Sequence, residues 1–499
     1  MTAAPPSAVL VLAAGQGRRM KSATPKVLHT MCGRTLLGHV LAAIEPLRAP
    51  RTLIVLGHER PQVEKFLADA APVAEVVVQE EQQGTGHAAR LALEVAADLE
   101  GTVLVMHGDT PLFTTETLTA VLARHAEARA DATMLTAVMP DPSNYGRVTR
   151  DADGHVTGIV EDRDASDVVK EIAEICTGVY AFDAGVLREA LERVHSDRPH
   201  GDEAKEEYLT DVIGLLVRES KVVASVVADD WRETLGVNDR AQLADARRHM
   251  RDRIVAHWMR EGVTITDPQT TWMGVNVRLE PDVTLHQNTQ LHGRTTIRSG
   301  AVVGPDCTLT NTLVETGATV LKSTCDGAEI GPDATVGPYS YLRPGTRLAA
   351  RAKVGGFVET KNADIGADSK VPHLTYVGDA TIGTGANIGA GTVFVNYDGV
   401  DKHHTTVGDA AFVGSGTMLV APREVGPGAY VAAGSVITDD VPPGAMGVAR
   451  GRQRNVLGWV FRRRAGTKSA DAARRAGGDG TMEATSPPSS TDPQQGEKP

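Results

Sequence analysis

The sequence predicts an α/β fold in two parts: a doubly wound domain with a mainly parallel sheet, then a parallel β-helix of hexapeptide repeats. A single linker helix joins them. Three observations predict this. Short β-branched runs alternate with helical patterns over residues 8–237. Apolar residues then recur at helical spacing from Asn238 to Glu261. Beyond Gly262 the apolar period becomes six.

In the first part the strand candidates are Ala8–Ala13, Thr52–Leu56, Glu75–Gln79, Thr102–Met106, Ala132–Val138, Thr177–Phe182 and Val222–Val227. Amphipathic stretches such as Thr115–Ala128 lie between them, and strand–helix alternation is the mark of a parallel sheet covered on both faces. In the second part Leu243, Ala246, Met250, Ile254 and Trp258 are spaced by three or four. They form one face of a helix, with Asn238 as its N-cap and Gly262 just past its end.

Leu285, Leu291, Ile297, Val303 and Leu309 then step by six, as do Ile330, Val336, Leu342, Leu348 and Val354, and Val407, Val413, Leu419, Val425, Val431 and Ile437. A helix of 3.6 residues per turn cannot keep a six-residue period on one face. An extended chain that turns a corner in each repeat can, because six is even. Three hexads per coil give a triangular prism, and Gly, Asn and Asp supply its corners. Past Pro443 the repeats stop, and after Arg464 large apolar residues are almost absent, so 465–499 is expected to be disordered. The expected divisions are 1–237, 238–262, 263–447, an arm over 448–464, and that tail.

Composition narrows the function classes. The 499 residues exceed what one core supports, since single cores stop growing at about 250–300 residues. Lys+Arg number 51 against 63 Asp+Glu, a formal charge of −12, which disfavours sequence-independent binding of nucleic acid. Cys32, Cys176, Cys307 and Cys325 are far apart and form no CxxC pair, so reduced thiols are expected and not a disulfide framework. The N-terminal segment lacks a basic region before its short apolar run, and no window approaches the ~20 apolar residues of a membrane span. A cytoplasmic protein without membrane or nucleic-acid partners is expected.

The first strand runs into Ala14-Gly15-Gln16-Gly17-Arg18-Arg19-Met20, followed by Pro25-Lys26. Glycines there let backbone N–H groups cradle a phosphate, with Arg19 and Lys26 adding charge. An ordinary tight βα turn gives the same GxG. The whole string from Leu12 and Ala13 to Met20, with Pro-Lys after it, resembles the nucleotide-sugar pyrophosphorylases. So do Gln79 to His87, Gly108-Asp109-Thr110-Pro111-Leu112, Asn144-Tyr145-Gly146-Arg147, Ile159-Val160-Glu161 and Gly236-Val237-Asn238.

Together with the hexads, residues 8–460 are similar to the bacterial bifunctional N-acetylglucosamine-1-phosphate uridylyltransferase / glucosamine-1-phosphate acetyltransferase family. The resemblance implies a Rossmann-like nucleotidyltransferase domain and a left-handed β-helix. It implies acetyl transfer from acetyl-CoA to glucosamine 1-phosphate, then uridylyl transfer from UTP to N-acetylglucosamine 1-phosphate with release of pyrophosphate. The product, UDP-N-acetylglucosamine, feeds peptidoglycan and envelope polysaccharide synthesis.

Residue by residue, the resemblance places UTP and the nucleotide sugar on Leu12, Ala13, Gly15, Arg19, Lys26, Gln79, Gln82, Gly84, Thr85, Gly146, Glu161, Cys176 and Asn238. It assigns Mg²⁺ to Asp109 and Asn238; Asn238 read alone is an N-cap, and the two roles are compatible. The family pattern has Asn where Cys176 stands. A thiol is a poorer hydrogen-bonding group than a carboxamide, so affinity for the sugar is in question here, and a small buried residue is the plainer reading.

On the β-helix, Arg343 and Lys361 are eighteen residues apart in one hexad register, so they stack at about 5 Å. Like charges so placed destabilise a ladder. They either splay into water or hold an anion. Then the hexads break: Phe394 to Val407 is thirteen residues, a projecting loop. By resemblance His373, in Pro372-His373-Leu374-Thr375-Tyr376, is the general base. Arg343, Lys361, Tyr376, Asn387 and Lys402 bind glucosamine 1-phosphate, and Asn396, Tyr397, Ser415, Ala433 and Arg450 bind acetyl-CoA. The family is trimeric, and an arm carrying Trp459 reaches a neighbouring subunit or packs as an ordinary Trp. A nucleotidyltransferase with a non-catalytic β-helix stays open as the alternative.

Overall fold

The computed structural model describes residues 4–57, 60–196 and 206–478. In the first domain the strands are β1 (Ala8–Ala13), a short hairpin β2 (Thr30–Met31) and β3 (Arg34–Thr35), β4 (Arg51–Leu56), β5 (Glu75–Val78), β6 (Thr102–His107), β7 (Ala132–Val138), β8 (Arg147–Arg150), β9 (Val156–Val160), β10 (Glu174–Asp183) and β11 (Val223–Val227). The helices are α1 (Leu36–Ile44), α2 (Arg60–Ala70), α3 (Thr85–Val95), α4 (Thr115–Ala128), α5 (Asp167–Lys170), α6 (Ala184–Ser196) and α7 (Leu209–Arg218).

The sheet order is β11-β7-β10-β6-β1-β4-β5. Its members are parallel except β10, which runs against β6 and β7. Val9, Val11, Leu10 and Leu53 are fully buried, because helices cover both faces and each strand reads as a near-continuous apolar run. Chain order reverses between β1 and β6. That reversal opens a crevice at their carboxyl ends, where ligands of such sheets bind. The seven expected strands are all present. The antiparallel pair β8–β9 and the β2–β3 hairpin are additions the alternation did not reveal.

The linker is α8 (Arg240–Arg260), about 30 Å long at 1.5 Å per residue. Its N-cap is Asp239, whose carboxylate accepts from the Gln242 N–H, and not Asn238. Asp supplies the cap with a charge that favours the helix N-terminus, which leaves the Asn238 amide free to turn toward β6. Leu243, Ala246 and Met250 pack with Met20, Met31, Leu36, Leu112 and Val237 of the first domain. Val255, Ile254 and Trp258 join the core of the second. One helix is thus glued at each end to a different hydrophobic core.

The second domain is a left-handed parallel β-helix. Trp272 pairs with Gln290 and Arg278 with Thr296, eighteen residues on. Coils tighten where Thr308 pairs with Thr324, and widen to twenty-five residues where Val393 pairs with Met418. The widening is the projecting loop. All sixteen hexad aliphatics are 4% exposed or less, so the repeat marks the inner face of the prism. Asp282, Asn288, Asp306 and Asn311 hold left-handed corners. Several glycines after the aliphatic positions serve otherwise. Gly414 has no positive φ; a Cβ there would stand 2.4 Å from the Ala433 nitrogen of the next coil. Coil-to-coil approach, and not turning, requires it. Phe394 is a wholly buried aromatic of the prism. Phe394→Ala is expected to cost about 3–5 kcal/mol, read as a lower denaturant midpoint for the β-helix transition; a change below about 1 kcal/mol would mean the core collapses around the gap.

Expected disorder from 465 is corrected for the described part of that segment. After α9 (Trp459–Arg463), α10 (Lys468–Arg475) forms with Thr467 as N-cap. Ala, Arg and Lys are strong helix formers even where composition is polar. Residues 479–499 lie outside the described residues.

Candidate functional sites

At the carboxyl ends of β1 and β6 two adjoining cavities of about 380 and 240 Å³ share Ala13, Ala14, Gly15, Lys26 and Val27 as walls. They form one cleft. Leu12, Gln79, Gln82, Gly84, Thr85 and Asp109 line the smaller part, with His107 and Tyr208. Arg18 lines the larger part, while Arg19 is exposed and belongs to neither wall.

Lys26 is the pivot. Its ammonium forms an ion pair with Asp109 and donates to Asn238 Oδ1 at 3.2 Å. Burial alone would raise the Asp109 pKa, but the charges of Lys26 and His107 together with the hydrogen bond from Lys26 outweigh it and hold the carboxyl below the usual range. Two hard oxygen donors from β6 and the linker therefore converge on one cation. Asp151, Asp153 and His155 make a separate exposed cluster of possible ligand atoms on the β8–β9 turn, outside this cleft.

Gln79 is buried, and its amide nitrogen donates to the Gly84 carbonyl at 3.0 Å, so its remaining polar edge has a set direction. Gln82 donates to the Ala14 carbonyl. Gly84 has φ +112, and a Cβ there would lie 2.2 Å from the Glu207 carbonyl oxygen, so no other residue fits.

Cys176 donates its backbone N–H to the Gly146 carbonyl at 2.8 Å, and Gly146 stands against Glu161. The Cys176 sulfur lies 2.8 Å from the Tyr180 hydroxyl, and burial pushes the thiol up to about 11. Gly146, Glu161 and Cys176 are therefore neighbours. The start of α7 ties them to Thr85: Thr210 donates to Glu161 Oε1 at 2.9 Å, and the Leu209 N–H donates to Thr85 Oγ1 at 3.0 Å. Sequence reasoning missed Tyr208 and Thr210. Their only signal is a pair of polar residues at the start of an otherwise apolar helix.

On the β-helix the register sets Arg343 beside Lys361, since the Arg343 N–H donates to the Thr360 carbonyl. The two charges do not simply splay apart. Arg343 pairs with Glu359 at 2.9 Å, and Lys361 meets Lys402 from the projecting loop. Contact with Lys402, then the Arg343 charge, lowers the Lys361 pKa. Three cations thus face one region.

The loop is braced from within. Asp398 accepts from Val400 and Asp401 N–H groups and binds His403 at 2.7 Å, and these bonds hold its carboxyl well below the usual range. Asn396 donates to Asp379 at 2.6 Å and lies 3.4 Å from the Tyr376 hydroxyl. Tyr397 and Lys402 bridge across the loop. His373 is exposed at the corner three residues before Tyr376. Asn387 aligns with Lys370 of the strand that ends in His373. Ser415 and Ala433 occupy matching corners of successive coils, the Gly434 N–H donating to the Ser415 carbonyl. Arg450 and Trp459 are not drawn in. Among the described residues neither bonds to the coils that carry His373 or Lys361, and Trp459 stacks under Arg464 at 5.4 Å.

Residues 9–174 match the model of the MobA-like NTP transferase domain. Over 475 residues the chain is 54% identical to the bifunctional protein GlmU of Streptomyces coelicolor, covering 95% of this chain and 98% of that one. It is 53% identical to that of Streptomyces avermitilis over 95% and 98%, and 52% identical to that of Thermobifida fusca over the same shares. The chain belongs to the bifunctional GlmU family. It is a transferase of two activities, glucosamine-1-phosphate N-acetyltransferase and N-acetylglucosamine-1-phosphate uridylyltransferase, and it makes UDP-N-acetylglucosamine. A nucleotidyltransferase with an idle β-helix is thereby set aside. Membership extends to the hexad domain, because the GlmU relatives match nearly end to end.

Proposed function

We propose that the two reactions are divided between the two domains, with uridylyl transfer in 1–237 and acetyl transfer in 263–447. The helix of 238–262 serves as the strut and 448–464 as an arm. For the first reaction the carrying observation is the convergence of Lys26, Asp109 and Asn238 at the carboxyl end of β6. UTP lies along Leu12, Ala13, Gly15 and Arg19, its base against Gln79, Gln82 and Gly84. Thr85, Gly146, Glu161, Cys176 and Asn238 enclose the sugar. An oxygen of N-acetylglucosamine 1-phosphate attacks the α-phosphorus, and pyrophosphate leaves on the opposite side. Lys26 offsets the charge that builds on the phosphates. The donor set fits Mg²⁺, since a carboxylate and a carboxamide oxygen already share one cation. Asp109 and Asn238 would hold it, and when bound it neutralises phosphate charge.

For the second reaction the carrying observation is the trio Arg343, Lys361 and Lys402, which suits a phosphate. Tyr376 and Asn387 complete the sugar site. His373 takes a proton from the C2 amine of the sugar as the amine nitrogen bonds to the thioester carbon. The C–S bond then breaks and coenzyme A leaves. The backbone at Tyr397 steadies the oxyanion, and Asn396, Ser415, Ala433 and Arg450 receive the acyl carrier. A homotrimer would bring Arg450 and the Trp459 arm, which make no bond to the His373 coil among the described residues, to a neighbouring subunit's site. It is supported by exposed aromatic ladders, Tyr339 on Phe357 and Phe412 on Tyr430, at 5.2 and 5.4 Å. The site would be completed between subunits, in the cytoplasm.

Full-length protein given glucosamine 1-phosphate, acetyl-CoA and UTP should yield coenzyme A, pyrophosphate and UDP-N-acetylglucosamine, identified by mass. Without acetyl-CoA it should yield no nucleotide sugar. Efficient formation of UDP-glucosamine in that control would refute the order of steps. Cys176→Asn should lower the KM for N-acetylglucosamine 1-phosphate roughly fivefold, the worth of about one hydrogen bond. An unchanged KM would put residue 176 outside the sugar's reach, its sulfur committed to Tyr180.

A further inference from the structure

The first domain contains a cavity of about 540 Å³ that shares no wall residue with the nucleotide cleft. It lies between α1 and the C-terminal half of α2. Leu41, Phe66 and Ala71 make its apolar wall, and Arg34, Arg48 and Glu45 also line it. Its size falls in the range of small-molecule sites, about 300–1,000 Å³.

Half-buried Arg34, with exposed Arg48 at the mouth, distinguishes this hollow from a packing fault. Neither guanidinium forms an ion pair or a side-chain hydrogen bond among the described residues. Arg51, close by in sequence, instead holds both Glu75 and Asp98. Burial lowers the Arg34 pKa and only the charge of Glu45 opposes it, so Arg34 is partly desolvated without a bonded counter-ion. A guanidinium in that state favours a carboxylate able to accept two hydrogen bonds. Glu45 on the same wall disfavours a second negative charge. An inorganic anion would leave the apolar wall unused, and a neutral apolar molecule would leave half-buried Arg34 without a partner, whereas Arg48 and Glu45 stand exposed at the mouth of the hollow.

We infer that this cavity binds a monoanionic amphipathic molecule, an aryl or medium-chain carboxylate, with its apolar body against Phe66 and Leu41 and its carboxylate toward Arg34 and Arg48. The site is additional to both substrate sites. It stands whether or not the residue assignments proposed above hold.

The test is titration calorimetry of the full-length protein with 4-phenylbutyrate, carried out under saturating UTP so that the nucleotide cleft is blocked. Saturable binding with a Kd of about 0.1–1 mM is expected. Arg34→Gln and Arg48→Gln should each weaken it about tenfold. Ala42→Phe, which fills the hollow, should abolish it. All three variants should keep uridylyl transfer, which reports that the domain is folded. If Ala42→Phe does not fold, the two arginine variants decide. The inference is overturned by no saturable binding up to about 10 mM, by equal binding of neutral 4-phenyl-1-butanol, or by an affinity unchanged in both arginine variants.

Discussion

Asp109→Ala should lower uridylyl transfer by at least about 10²–10³-fold while acetylation of glucosamine 1-phosphate proceeds at the wild-type rate. Asp109 is the carboxylate at the end of β6, and Lys26 is bound to it and to Asn238. Removing it leaves the ammonium without its anionic partner, so Lys26 reorients, and one of two hard oxygen donors is lost. The loss should therefore exceed that of Asn238→Ala, which removes only the neutral donor. Chelation should reproduce the effect on uridylyl transfer and spare acetyl transfer. The charges of Lys26 and His107 and the hydrogen bond from Lys26 hold the Asp109 carboxyl below its ordinary range, so protonation of Asp109 should not set the acid limb of the uridylyl pH profile. A limb at ordinary carboxylate pH that vanished in Asp109→Asn, with activity retained above it, would contradict this geometry. Loss of both activities from a folded Asp109→Ala protein would contradict the division into two sites.

How much of this was legible depended on the range of the interaction. The hexad register is local and repeated, so the sixteen aliphatic positions revealed the prism, and all proved buried. The β1 loop is local as well: Gly15, Gly17 and Lys26 lie within one short segment. Strands β8 and β9 were not legible, because Arg147–Arg150 and Val156–Val160 are short and mixed, and form an antiparallel flap instead of a buried parallel run. The seam that joins Thr85 to Glu161 was not legible either. It depends on Leu209 and Thr210, which are 124 and 49 residues from their partners and carry no periodic signal. The Asn238 cap failed for a related reason. Asp239 can cap equally well, and only the fold shows that the Asn238 amide turns instead toward Lys26. Composition misread Lys468–Arg475, since it measures the apolar content a core needs and not the helix propensity of Ala, Lys and Arg.

His373→Ala should lower acetyl transfer by about 10²–10⁴-fold, the usual worth of a positioned general base. Uridylyl transfer to preformed N-acetylglucosamine 1-phosphate should be unchanged. The effect should fall on kcat. His373 stands at a corner three residues from Tyr376, while the proposed phosphate-binding charges, Arg343, Lys361 and Lys402, lie on other segments. The proposed mechanism therefore gives binding and proton transfer to different side chains, and substitution should separate them. Lys402→Ala should mainly raise the KM for glucosamine 1-phosphate. Its loss also relieves the repulsion between the Lys402 and Lys361 ammonium groups, so part of the affinity is retained. Lys361→Ala and Lys402→Ala should thus combine to less than the product of two independent losses. If His373→Ala instead raised KM with kcat intact, His373 would be a binding residue, and the proton of the amine would leave by another route.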